Sequence, residues 1–146
     1  MATIYDIAEG TTTFVQVGSG GLIETNPDPV NPANSWTAQS SGTTKHLYGV
    51  AWNGTYFSAV GQDGTALVSA DGISWAAVTS GVATDLNDIA SAGGVFIAVG
   101  NAGVIISSQN GYSWSLITSG TSENLWGVAI ANAIFTVVGG KERIIV

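Results

Sequence analysis

The sequence predicts an all-β fold: a β-propeller of four antiparallel four-stranded blades of about 39 residues, the last lacking its outer strand. Three observations carry that expectation. The chain repeats itself at an interval of 39 residues, its apolar runs are short and bounded by Gly, Asn or Asp, and no segment sustains a 3.6-residue apolar period.

The repeat comes first because it sets every later position. A shift of 39 superposes residues 47–85 on 86–124 with 15 identities. Leu47/Leu86, Phe57/Phe96, Gly61/Gly100, Gly64/Gly103, Ser69/Ser108, Trp75/Trp114 and Gly81/Gly120 are among them. A further shift continues the pattern with Leu125, Phe135 and Gly139. Upstream, Trp36 and Ser41-Gly42 stay in phase, whereas Phe14 and Gly18 need a shift of 43. The four extra residues fall between Asp28 and Ser35, as a surface turn tolerates. The blades predicted are 4–46, 47–85, 86–124 and 125–146, within one domain.

Each unit reads as four strands. "LYGVAW", "YFSAVG", "TALVS" and "SWAAVTSG" are aliphatic and aromatic runs of strand length. "NGT" at Asn53–Thr55 and "QDGT" at Gln62–Thr65 are predicted hairpin turns, because glycine supplies the positive φ such turns need. A β-solenoid would have much shorter coils without hairpins. The fourth unit holds "LWGVAI", "IFTVVGG" and "RIIV", and stops one residue before the position equivalent to Ser69.

Composition narrows the partners. Charged residues make up 9% of the chain and the net charge is −7, so a nucleic-acid backbone or an anionic membrane surface would be repelled. No apolar stretch reaches the length of a membrane span, and "MATIYDIAEG" has neither the basic nor the apolar region of an export signal. Localisation is left open between cytoplasm and virion. There is no cysteine, which removes disulfides and thiolate chemistry.

The segments "SADGISW" (Ser69–Trp75) and "SQNGYSW" (Ser108–Trp114) resemble the Asp-box of BNR-type propellers. They are one residue shorter before the Trp, and Asn110 replaces the Asp in the second copy. A first copy survives as Asn26-Pro27-Asp28 and, after the insertion, Ser35-Trp36. The blade "LYGVAWNGTYFSAVGQDGTALVSADGISW" is similar to those of the photosystem II stability/assembly factor group and of related phage and bacterial repeat proteins. The box implies a structural role. Asp71 or Asn110 can accept backbone N–H groups of its own turn, and Gly72 or Gly111 can take the left-handed conformation that follows. Trp75 or Trp114 then covers the turn and packs inward.

An enzyme is not expected. Sialidases use Asp-box propellers, but they need an arginine cluster, and this chain has one arginine, Arg143, beside Lys45 and Lys141. His46 is the only histidine, and it reads as solvated in a blade-connecting loop. No calcium loop, metal spacing or carboxylate pair stands out, and "GSGG" at Gly18–Gly21 lacks the helix and lysine of a phosphate cradle. No catalytic residue, metal ligand or cofactor is assigned.

What remains is binding. The first expectation is a structural or protein-interaction scaffold, such as a phage tail, fibre or capsid-decoration component. The chain would either close as a four-bladed ring or form an arc whose exposed faces meet a second copy in a ring of about eight blades, and its exposed apolar edges favour the latter. The alternative is a carbohydrate-binding propeller using aromatics outside the box: Tyr48, Trp52, Tyr56, Tyr112 and Trp126. Tyr5, Tyr48 and Trp126 occupy equivalent repeat positions, where the third repeat has Asn87. Packing between blades is the simpler reading of these rings. A photosystem assembly role is implied by the blade resemblance alone.

Overall fold

The computed structural model describes residues 1–140 and 142–145, the last four as backbone. Its strands form four antiparallel sheets, each hydrogen-bonded in chain order. Blade 1 comprises β1 (Ile4–Glu9), β2 (Phe14–Gly18), β3 (Ile23–Asn26) and β4 (Thr37–Gln39). Blade 2 comprises β5 (Leu47–Trp52), β6 (Phe57–Gly61), β7 (Ala66–Ser69) and β8 (Ala76–Val78). Blade 3 comprises β9 (Leu86–Ala92), β10 (Val95–Gly100), β11 (Ile105–Ser108) and β12 (Ser115–Ile117). Blade 4 has three strands, β13 (Leu125–Ala131), β14 (Ile134–Gly139) and β15 (Glu142–Ile145), so the outer strand is absent among the described residues.

The blades stack face to face, and the core lies in the joints between them. Val15, Val17 and Ile23 of blade 1 meet Val50, Phe57, Ala59 and Leu67 of blade 2. Ala51, Val60 and Ala66 of blade 2 meet Ile89, Phe96, Ala98 and Ile106 of blade 3. Ile97, Val99 and Ile105 of blade 3 meet Val128 and Val137 of blade 4. Strand alternation sends successive residues to opposite faces, so a blade with neighbours on both sides reads as a continuous apolar run. That is why all five residues of β6 are buried.

The four inner strands line the hub. β1 packs along β5, β5 along β9 and β9 along β13, and among the described residues no comparable packing joins β13 back to β1. The four blades therefore form an open arc. The sequence left closure within one chain as an alternative; the arc is what the structure adopts.

The recurring glycine at the end of each second strand has a steric cause. Gly61 has an extended backbone with φ of −175°, which any residue could adopt. A Cβ there, however, would sit 2.0 Å from the carbonyl oxygen of His46. Gly18, Gly100 and Gly139 face the same obstruction from the carbonyls of Thr3, Asp85 and Asn124. The following turn is tied back to the same spot, Gln62 N–H donating to His46 O at 2.9 Å. In the predicted Gln62–Thr65 turn, two residues take positive φ rather than glycine alone: Asp63 at 55° and Gly64 at 72°.

Candidate functional site

The Trp-containing turns are built as self-contained units. In blade 2, Ser69 Oγ accepts the Gly72 N–H at 2.8 Å, while Asp71 Oδ1 accepts those of Ile73 and Ser74 at 2.8 and 2.9 Å. Trp75 Nε1 donates to Gly72 O at 2.7 Å, and its ring packs on the blade 1–blade 2 core. Blade 3 repeats the pattern: Ser108 Oγ takes the Gly111 N–H, Asn110 Oδ1 takes those of Tyr112 and Ser113, and Trp114 Nε1 donates to Gly111 O at 3.1 Å. The N–H groups of Ser74 and Ile73 hold the Asp71 carboxyl below its ordinary value. Gly72 and Gly111 have φ of 79° and 76°, and each abuts the preceding blade, at Val15 and Val68.

In blade 1 the turn is dismantled by the insertion. Asn26 replaces the serine and accepts the Asp28 N–H at 2.9 Å, while Asp28 accepts that of Val30 at 3.2 Å. Trp36 lies ten residues beyond Asn26, half-buried. The serine Oγ, the Asp or Asn Oδ1 and the Trp Nε1 of these turns are thus engaged within the turn itself.

A different set of residues forms a pocket. Each inner strand carries a β-bulge at its second residue: the pairing skips Tyr5, Tyr48, Asn87 and Trp126 in blades 1 to 4. A bulge leaves one residue outside the ladder and re-aims its side chain. Repeated in four blades, it turns these four side chains toward one end of the hub. With Asp85 and Asn101 they line a cleft of about 390 Å³, within the range of small-ligand sites.

The polar groups of the cleft are held in place from below. Asn87 Nδ2 donates to Asn101 Oδ1 at 2.9 Å and to Leu125 O at 2.8 Å, which fixes both amides. Asp85 Oδ1 accepts the Asp63 N–H at 2.9 Å. The rings of Tyr5 and Tyr48 meet edge to face at 5.4 Å. Burial first, then the charge of Asp85, pushes the Tyr48 hydroxyl above its usual value. Tyr5 and Trp126 are exposed, at 45% and 59%.

Of the aromatic candidates, the structure brings Tyr5, Tyr48 and Trp126 together at this cleft. The others lie elsewhere. Trp52 packs against Phe57 in the first joint, ring centroids 4.5 Å apart and planes tilted by 47°, and Tyr56 meets Tyr112 edge to face at 5.5 Å across the second. His46 departs from the solvated loop expected of it: it is half-buried, its Nδ1 accepts the Gly20 N–H at 2.9 Å, and its ring lies 6.3 Å from Tyr5. Asp85 and Asn101 were not singled out from sequence. No composition signal marks them, because they come from the strand-connecting turns of a neighbouring blade.

Two half-buried carboxylates, Asp6 and Asp88, follow Tyr5 and Asn87 on the same inner strands. Asp6 Oδ2 accepts the Val50 N–H at 2.9 Å, and Asp88 Oδ2 accepts the Val128 N–H at 2.9 Å, each bridging to the next blade. Burial pushes both carboxyls above their ordinary value, against the lowering effect of those N–H groups. Among the described residues, no group of three His, Cys, Asp or Glu is placed to hold a metal ion.

Blades arranged face to face around a common hub, each with its inner strand lining that hub, define a β-propeller. The solved structure of YCF48 from Cyanidioschyzon merolae is similar to this chain, with a TM-score of 0.73 and 16% identity over 98% of this chain and 50% of that one. The chain thus spans about half the length of that propeller. No protein-family model matches the sequence, and no curated protein sequence matches it.

Proposed function

We propose that this chain is a non-enzymatic propeller scaffold that works by protein association, and that its first partner is a second copy of itself. One observation carries the reading: the faces at the two ends of the arc keep apolar side chains in solvent that are buried at every internal joint. Val138 is 48% exposed, whereas Val60 and Val99, at the same repeat position, are fully buried. Ile7 is 49% exposed, against 3% for Val50 and 5% for Ile89. Exposed sheet faces of this kind are association surfaces. The low charge and Ser/Thr/Gly-rich surface support a place in a larger assembly, such as a phage tail, fibre or capsid decoration. Light scattering and sedimentation equilibrium test the reading. A mass of twice the 14.8 kDa chain supports it, and a monomer at all accessible concentrations refutes it.

A second reading rests on the hub cleft. Aromatic rings beside fixed amides and one carboxylate suit the apolar face and hydroxyl groups of a neutral saccharide. The net charge of −7 disfavours an acidic sugar. Glycan-array binding that is lost in Trp126→Ala supports this reading, and binding unaffected by that change removes the cleft from it. The photosystem assembly role implied by the blade resemblance shares the propeller fold with YCF48, and the likeness at 16% identity extends no further.

A further inference from the structure

The blades alternate in kind. At the third position of successive inner strands stand Asp6, Gly49, Asp88 and Gly127. The aspartates reach forward to the next blade, Asp6 to Val50 N–H and Asp88 to Val128 N–H. The glycine between them gives the following Asp blade room: a Cβ on Gly49 would lie 3.0 Å from Ile89 Cγ2, 3.1 Å from its backbone N and 3.4 Å from Asp88 Cα. Joints of two types therefore follow one another. Blade 1 to 2 and blade 3 to 4 are Asp-to-Gly joints with a carboxylate bridge, and blade 2 to 3 is a Gly-to-Asp joint closed by backbone proximity.

Among the described residues, blade 1 is an Asp blade and blade 4 a Gly blade. A joint from blade 4 to a blade 1 would thus be of the Gly-to-Asp type already built between blades 2 and 3. On this basis, and resting on the self-association proposed above, we infer that two copies join head to tail at both ends, blade 4 of each against blade 1 of the other. The result is a closed ring of 4 + 4 blades in which the alternation runs unbroken. A pairing of like ends would place two Asp blades or two Gly blades together, a joint found nowhere in the chain.

The faces are continuous with the internal joints. Ala129, Thr136 and Val138 of blade 4 stand where Ala51, Ser58 and Val60 stand in blade 2, facing blade 3. Ile7 and Phe14 of blade 1 stand where Val50 and Phe57 stand in blade 2, facing blade 1. One difference sets the strength of the joint between copies. Gln16 and Glu24, hydrogen-bonded to each other, occupy the places of Ala59 and Leu67. A carboxylate in this joint makes it weaker than the internal ones.

The absence of cysteine from this sequence makes a direct test available. Gly127 and Ile7 of the partner would meet as Gly49 and Ile89 do, within reach of a disulfide. The double variant Ile7→Cys/Gly127→Cys, oxidised at low concentration, is expected to give a covalent dimer holding two bonds and no larger species. A ladder of higher multimers would overturn the closed ring. If the parent chain is a dimer but the double variant forms no 7–127 bond, the head-to-tail joint is overturned, while self-association by another face is left intact. A second variant tests the same joint without cysteine. Gln16→Ala/Glu24→Leu restores the residues of blade 2, and it is expected to tighten the dimer about tenfold or more. An unchanged dissociation constant would remove this face of blade 1 from the interface.

Discussion

Replacing Asp71 with alanine isolates what the Trp-containing turn contributes. Asp71 Oδ1 accepts three hydrogen bonds, from the N–H groups of Ile73 and Ser74 and from Ser69 Oγ at 3.1 Å. The turn is exposed, so water takes over part of what is lost. A net contribution of about 0.5 kcal/mol per bond then gives a loss of about 1–2 kcal/mol. A domain of this size changes Tm by about 3 °C per kcal/mol, so a fall of about 3–6 °C is expected. Thermal unfolding followed by circular dichroism at fixed protein concentration measures it. Asp71→Asn is the informative companion, since Asn110 holds the equivalent turn with an amide oxygen. It should retain at least half of the stability that alanine loses. The difference between Asp and Asn should also shrink in acid. The folded carboxyl is held below its ordinary value, so its stabilisation is present above the unfolded pKa and is lost as pH falls through the folded one. An unchanged Tm for Asp71→Ala, or an equal loss for Asp71→Asn, would refute the reasoning.

Asp88→Ala strips the acceptor from the Val128 N–H and should cost about 1–3 kcal/mol in chemical denaturation. Because burial raises the Asp88 carboxyl, its contribution is fullest below the ordinary carboxylate range and declines as pH rises through the raised value. The deficit of the variant should therefore be larger near pH 4 than at pH 7, and a deficit that widens with pH would contradict the bridge. Gly61→Ala should lose about 1–3 kcal/mol or more despite its permissive φ, because the new Cβ collides with a backbone carbonyl; near-neutral stability would show that the His46 segment yields to the methyl group. Phe96→Ala, which empties the second joint, should lose about 3–5 kcal/mol by the same assay, and a loss under about 1 kcal/mol would show that the joint collapses around the gap.

The candidate site was legible in part. Equivalence of Tyr5, Tyr48, Asn87 and Trp126 follows from the repeat, since residues at one phase of a period occupy one place in every blade. That these positions are bulged, and so turned toward a shared cleft, depends on strand pairing that no single segment encodes. Asp85, Asn101 and His46 join the cleft or its edge from turns of adjacent blades. Their sequence neighbours announce only a turn.

Blade number, strand order and the recurring glycines were determined by the sequence itself, because local patterning and turn chemistry act within a few residues and the repeat states them several times. Whether the arc closes was decided only in three dimensions. Closure depends on the angle between faces summed over successive joints, and the three joints β1 to β5, β5 to β9 and β9 to β13 together leave β13 apart from β1. The apolar faces left at the two ends, and with them the proposed association, are consequences of that sum.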